Sequence, residues 1–130
     1  MLECLIIGDS IAVGIGQYRL DCVVEAKVGI NSRNYVKTYA LPESKLTVIS
    51  LGSNDLGMSN QYTVLYNLRS EIKGTVLWIL PANNDEARSN ILTIASIHND
   101  KVADIRQLPL SKDGVHPTTK SYEALAKVFK

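Results

Sequence analysis

Short apolar runs rich in β-branched residues alternate along this chain with longer amphipathic stretches, and this constrains the fold more than any other feature. The runs are Leu2 to Ile7, Cys22 to Val28, Leu46 to Leu51, Thr75 to Leu80 and Val102 to Ile105. Several are almost continuously apolar, as parallel strands covered on both faces must be. The intervening stretches predict helices near 10–19, 32–40, 61–72, 85–98 and 118–129. Gly74 stands where a cap after the third helix is wanted. Asn84 or Asp85 can cap the start of the fourth, with Glu86 in its first turn, and Thr118 can cap the fifth. In that last segment Tyr122, Leu125, Ala126 and Phe129 share one face at spacings of three and four. Five strands in strict alternation with five helices predict an α/β domain, a doubly wound parallel sheet between two helical layers. The expected strand order is 2-1-3-4-5, although periodicity does not itself fix the order.

The 130 residues fit one domain, 1–130, with no linker, repeat or low-complexity tract. A net charge of +1 gives no electrostatic footprint for nucleic acid or for an anionic membrane, so neither is an expected partner. No stretch approaches the ~20 apolar residues of a membrane span. The first residues carry Glu3 and only Leu5 to Ile7 as an apolar run, too short for a secretory leader, so the reading is cytoplasmic. Cys4 and Cys22 lie in apolar, strand-like surroundings and read as reduced, buried small hydrophobes. No cofactor and no metal site are expected. Gly14-Ile15-Gly16 lacks the third glycine of a dinucleotide fingerprint, and P-loop, GxSxG, HExxH and CxxC patterns do not occur.

In an open parallel sheet, ligands bind beyond the carboxyl ends of the strands. The segments found there are Gly8-Asp9-Ser10, Gly29-Ile30-Asn31-Ser32, Gly52-Ser53-Asn54-Asp55, Pro81-Ala82-Asn83-Asn84 and, after a short polar stretch, Asp113-Gly114-Val115-His116-Pro117. Hydroxyl, amide, carboxylate and imidazole groups therefore converge on one edge. Asp113 and His116 are three positions apart across a turn-forming glycine, so the carboxylate can orient the imidazole as a general base. Ser10, at the start of the first helix, is the nucleophile for that base, placed where negative charge is favoured. The backbone N–H groups of Ser10 and Gly29 and the side-chain amide of Asn54 are candidate oxyanion donors. Taken singly, each segment is an ordinary turn or helix cap. Their joint occurrence, each after a different strand, points to catalysis.

These blocks resemble those of the SGNH, or GDSL, hydrolases: Gly8-Asp9-Ser10, the isolated Gly29, Gly52-Ser53-Asn54-Asp55, and Asp113 through His116, in the family's order and across nearly the whole chain. The resemblance implies a flavodoxin-like three-layer fold and hydrolysis of esters or thioesters. It implies Ser10, His116 and Asp113 as the triad, with Ser10, Gly29 and Asn54 as the oxyanion hole. The expected substrate is a small acyl ester, acetyl-type, with O-acetylated sugars among the candidates. A thioesterase or lysophospholipase, or a non-catalytic binding or assembly module on the same fold, remain alternatives. His98, Trp78 and Asp55 read as structural: a helix-end histidine, a core indole and a local hydrogen-bonding carboxylate. Asp9 reads as a residue that orients the nucleophile loop, and Asn83 and Asn84 as helix-capping or substrate-contacting side chains. Only Arg106 to Lys112, with Leu108, Pro109 and Leu110, is available as an apolar wall for an acyl chain.

Overall fold

The computed structural model describes residues 1–130 and has the predicted α/β architecture. The strands are β1 (Leu2–Gly8), β2 (Val23–Ala26), β3 (Ser44–Ser50), β4 (Thr75–Leu80) and β5 (Lys101–Asp104). The helices are α1 (Ser10–Gly16), α2 (Ser32–Thr38), α3 (Gln61–Ser70), α4 (Asp85–His98) and α5 (Thr119–Ala126). All strands are parallel, in the order β2-β1-β3-β4-β5.

Alternation along the strands builds two separate cores, because successive side chains leave opposite faces of a sheet. Cys4 and Ile6 of β1 and Leu77 and Ile79 of β4 join Ile11, Ile15, Leu125 and Phe129 on the α1/α5 side. Leu5 and Ile7 of β1 and Val76, Trp78 and Leu80 of β4 join Tyr35, Leu65 and Ile91 on the α2/α3/α4 side. Trp78 is fully buried, as expected, and its indole N–H donates to Asp100 at 3.1 Å. That carboxylate also takes a bidentate pair from Arg69, so the indole, the carboxylate and the guanidinium satisfy one another where they are buried.

Several boundaries differ from the sequence reading for local reasons. Helix α1 ends at Gly16, not Arg19, because Gln17, Tyr18 and Arg19 close on carbonyls three residues back, the tighter bonding of a frayed last turn. Helix α3 ends at Ser70, so Gly74 is no helix cap; it lies directly before β4. Helices α4 and α5 begin on the Asn84 and Thr118 side chains, which accept from Ala87 N–H and Ser121 N–H. The cysteines correct the expectation of two free thiols. Cys4 and Cys22 form a disulfide, with Cα atoms 4.7 Å apart. The residues flank each other because Leu5 pairs with Val23, which sets the preceding positions side by side across β1 and β2. The bond ties the short edge strand, and the Gly29 loop after it, to the centre of the sheet.

Candidate active site

The carboxyl ends of β1, β2 and β3, and the turn before α5, meet at one edge of the sheet. Strand β1 ends on Gly8, whose backbone runs so close to β3 that a Cβ there would lie 1.8 Å from the Ser50 carbonyl oxygen. Asp9 N–H donates to that carbonyl, and the Asp9 side chain caps α1 by accepting from Ile11 N–H at 3.0 Å. Ser10 follows as the first residue of α1. Its hydroxyl is therefore fixed at a helix N-terminus by contacts made on both of its flanks.

The turn from Leu110 to Pro117 delivers the other two side chains. Leu110 and Pro117 form an antiparallel bridge, and Ser111 N–H donates to the His116 carbonyl at 2.7 Å, closing a tight loop around Asp113 and Gly114. Asp113 accepts from Val115 N–H at 2.8 Å and His116 N–H at 3.0 Å through one carboxylate oxygen. Its other oxygen meets His116 Nδ1 at 2.6 Å. His116 Nε2 in turn lies 2.8 Å from Ser10 Oγ. The His116 backbone N–H, followed by its imidazole and the Val115 N–H, holds the Asp113 carboxyl down to about 2. Asp113 is thus an anion across the working range, bonded to one ring nitrogen while the other faces the hydroxyl.

The remaining two predicted residues lie on the facing loops. Gly29 has φ +80°, a conformation that favours glycine, and a Cβ there would meet nothing within 4 Å. Its N–H has no acceptor in the protein, and Ser10 N–H, at the first helical position, has none either. Asn54 Nδ2 reaches across to the Ile30 carbonyl at 3.0 Å, which leaves its second N–H uncommitted and sets the amide beside the Gly29 loop.

Beneath this edge lies a polar network only partly foreseen. Asp55, expected to bond locally, instead reaches Ser32, 23 positions away. It is buried and accepts from Ser32 N–H at 2.8 Å, Ser32 Oγ at 2.5 Å and Gln61 Nε2 at 2.7 Å, joining the β3–α3 loop to the starts of α2 and α3. Gln61 then accepts from Asn90 of α4 at 2.9 Å. Asn83 and Asn84 point their amides inward, at 2.9 Å to the Ser53 carbonyl and 3.1 Å to the Gly52 carbonyl. They pin the Asn54 loop from below. His98 stays away from the site, bonded to the Ile94 carbonyl and tilted against Tyr66. Tyr122 of α5 comes within electrostatic reach of both Asp9 and Asp113; burial first, then those two carboxyls, push its phenol up to about 12. The sequence signal for Tyr122 was only its place on the inward face of α5.

The stretch expected to wall an acyl chain turns away from that task. Leu108 and Leu110 pack against the α1/α5 core. A broad concavity of about 850 Å³ lies at the opposite end of the sheet, between Lys45, Leu77, Lys101 and Phe129, and does not reach Ser10. No cluster of three or more His, Cys, Asp or Glu side chains is placed to ligate a metal. No helix is long and apolar enough to cross a membrane.

The chain has a three-layer fold on a parallel sheet of order 2-1-3-4-5, with a Ser-His-Asp hydrogen-bond chain at its carboxyl edge. Solved structures with the same fold superpose over nearly the full chain. A lipolytic protein of the G-D-S-L family from Veillonella parvula DSM 2008 matches with a TM-score of 0.61 and 19% identity, covering 97% of this chain and 94% of that one. The native M. smegmatis aryl esterase gives a TM-score of 0.61 at 16% identity, covering 97% and 95%. The C-terminal catalytic domain of peptidoglycan O-acetyltransferase A from Streptococcus pneumoniae gives 0.56 at 17% identity, covering 96% and 86%. At these identities the likeness establishes the fold. No protein-family model matches the chain, and no curated protein matches it.

Proposed function

We propose that this chain is a serine ester hydrolase that cleaves short acyl esters through an acyl-enzyme. The observation that carries this reading is the chain of hydrogen bonds from Ser10 Oγ to His116 Nε2 and from His116 Nδ1 to Asp113. His116 takes the Ser10 proton as Oγ attacks the ester carbonyl. Asp113 holds Nδ1–H toward itself and stabilises the imidazolium that forms. The tetrahedral oxyanion is met by the N–H groups of Ser10 and Gly29 and by Asn54 Nδ2. His116 then returns its proton to the leaving alkoxide, and the alcohol departs. Water repeats the sequence on the acyl-Ser10 ester, releasing the carboxylic acid and restoring the hydroxyl. No cofactor enters any step.

The short-acyl preference follows from what surrounds the triad. Asp113 and His116 are about half exposed, and Leu108 and Leu110, expected to wall an acyl chain, are spent on the core. Each methylene contributes about 0.8 kcal/mol, close to fourfold, only where it is enclosed. The partner is therefore a small acyl ester whose leaving group, a sugar included, lies outside the cleft. The disulfide favours an oxidising compartment over the cytoplasmic location expected from the sequence. The test is kcat/KM for acetyl, butyryl, octanoyl and lauroyl esters of one leaving group. The expected order has acetyl or butyryl highest; a steady rise toward lauroyl overturns it in favour of a lipase or long-chain thioesterase.

A further inference from the structure

Asp9, the residue before the nucleophile, has no solvent exposure at all. Its Oδ1 accepts from Ile11 N–H at 3.0 Å and stands 3.4 Å from Ser50 Oγ, while Oδ2 has no partner of any kind. An ionised carboxylate wants donors on both oxygens, and leaving one bare inside a protein is far worse for a charged group than for a neutral one. The groups that face it supply no cation. Ser50 comes from β3, the Asp55 carboxylate from the β3–α3 loop, and the Tyr122 phenol from α5; on its own helix there are only the N–H groups of Ile11 and Ala12. Asp55 differs in kind, because three donors converge on it.

The reaction makes the same demand. An oxyanion forms against Ser10 N–H, one residue along the chain, and a fixed negative charge at the start of α1 would oppose it in a low-dielectric setting.

We propose that Asp9 is a positioning residue that works as the uncharged acid, capping α1 and aiming Ser10 N–H while leaving the helix start free for the oxyanion. This rests on Ser10 being the nucleophile. Burial, with a smaller push from Asp55, raises the Asp9 carboxyl to about 7 against the opposing pull of Ile11 N–H and Ser50. Substrate in the cleft raises it further, since both water exclusion and the oxyanion disfavour its charge.

The test pairs kinetics with a direct titration. Hydrolysis of an acetyl ester is followed from pH 5 to 9 for the wild type, Asp9→Asn and Asp9→Ala, and the Asp9 carboxyl carbon is followed by NMR in the wild type and in Ser10→Ala. Asp9→Asn keeps an uncharged acceptor for Ile11 N–H, so it should rescue kcat to at least tenfold above Asp9→Ala, with KM similar in the two. Any alkaline fall of wild-type kcat/KM should follow the NMR titration and vanish in Asp9→Asn. A carboxyl already ionised at pH 5, or Asp9→Asn as inactive as Asp9→Ala, overturns the proposal. The NMR result holds even where a variant fails to fold. Retained activity in Ser10→Ala instead removes the nucleophile assignment, a failure visible separately from the Asp9 titration.

Discussion

Replacing Asp55 by alanine should cost more stability than any other single polar substitution at the site, and should damage catalysis through the Gly29 loop. The carboxylate accepts three bonds, from Ser32 N–H, Ser32 Oγ and Gln61 Nε2, and its side chain is buried. Alanine leaves all three donors without a partner, and each orphaned buried donor costs about 1–3 kcal/mol. Some relax: the Ser32 hydroxyl rotates and Gln61 shifts toward Asn90. A net loss of about 3–5 kcal/mol is therefore expected, out of the 5–15 kcal/mol typical of a domain this size. The Ser32 bonds to Asp55, together with the Asn54–Ile30 bond, tie the Gly29-Ile30-Asn31 turn to the β3–α3 loop, so their release should lower kcat at temperatures where the variant is still folded. Urea denaturation gives the first number and ester turnover the second. Ser32→Ala should lose less, and the Asp55→Ala/Ser32→Ala double variant should show coupling above 1 kcal/mol. A loss below 1 kcal/mol for Asp55→Ala, or strict additivity with Ser32→Ala, would refute the network as described.

Two further outcomes follow from buried groups. The Asp9 carboxyl is raised in the folded state, so its contribution to stability is complete below its unfolded value near 4 and is lost as pH rises toward about 7. Unfolding free energy should therefore fall across that window by up to about 4 kcal/mol in the wild type, and by much less in Asp9→Asn; parallel pH profiles for the two proteins would contradict it. The Cys4–Cys22 bond closes a loop of sequence separation 18, for which chain entropy gives about 3 kcal/mol. Adding reductant should lower the urea midpoint correspondingly, and a midpoint indifferent to reductant would show that the bond adds nothing to the fold.

The architecture was legible because its signals are local and repeated. Strands such as Thr75 to Leu80 are bounded as predicted, since continuous apolar character and flanking turns mark a doubly covered strand. The Asp113–His116 pairing was legible for the same reason: two intervening residues, one of them a glycine, confine it to one turn. What escaped the sequence was long-range. Asp55 binds Ser32, 23 positions away, and nothing in Asn-Asp distinguishes that from an Asx turn. The disulfide depends on β1 and β2 being paired in one register, which two isolated cysteines do not disclose. Leu108 and Leu110, read from the sequence as a wall for an acyl chain, instead join the α1/α5 core, where the Leu110–Pro117 bridge closes the turn between them and α5.

The central claim is that Ser10 is an activated nucleophile, and covalent capture tests it most directly. The folded protein is treated with a fluorophosphonate, and intact mass and peptide mapping are read for the wild type, Ser10→Ala and His116→Ala. One adduct on Ser10 in the wild type is expected, with none in Ser10→Ala and labelling slowed by orders of magnitude in His116→Ala, because the proposal has Nε2, 2.8 Å from Oγ, remove the proton. An unlabelled wild type, or equal labelling in Ser10→Ala, would contradict the account.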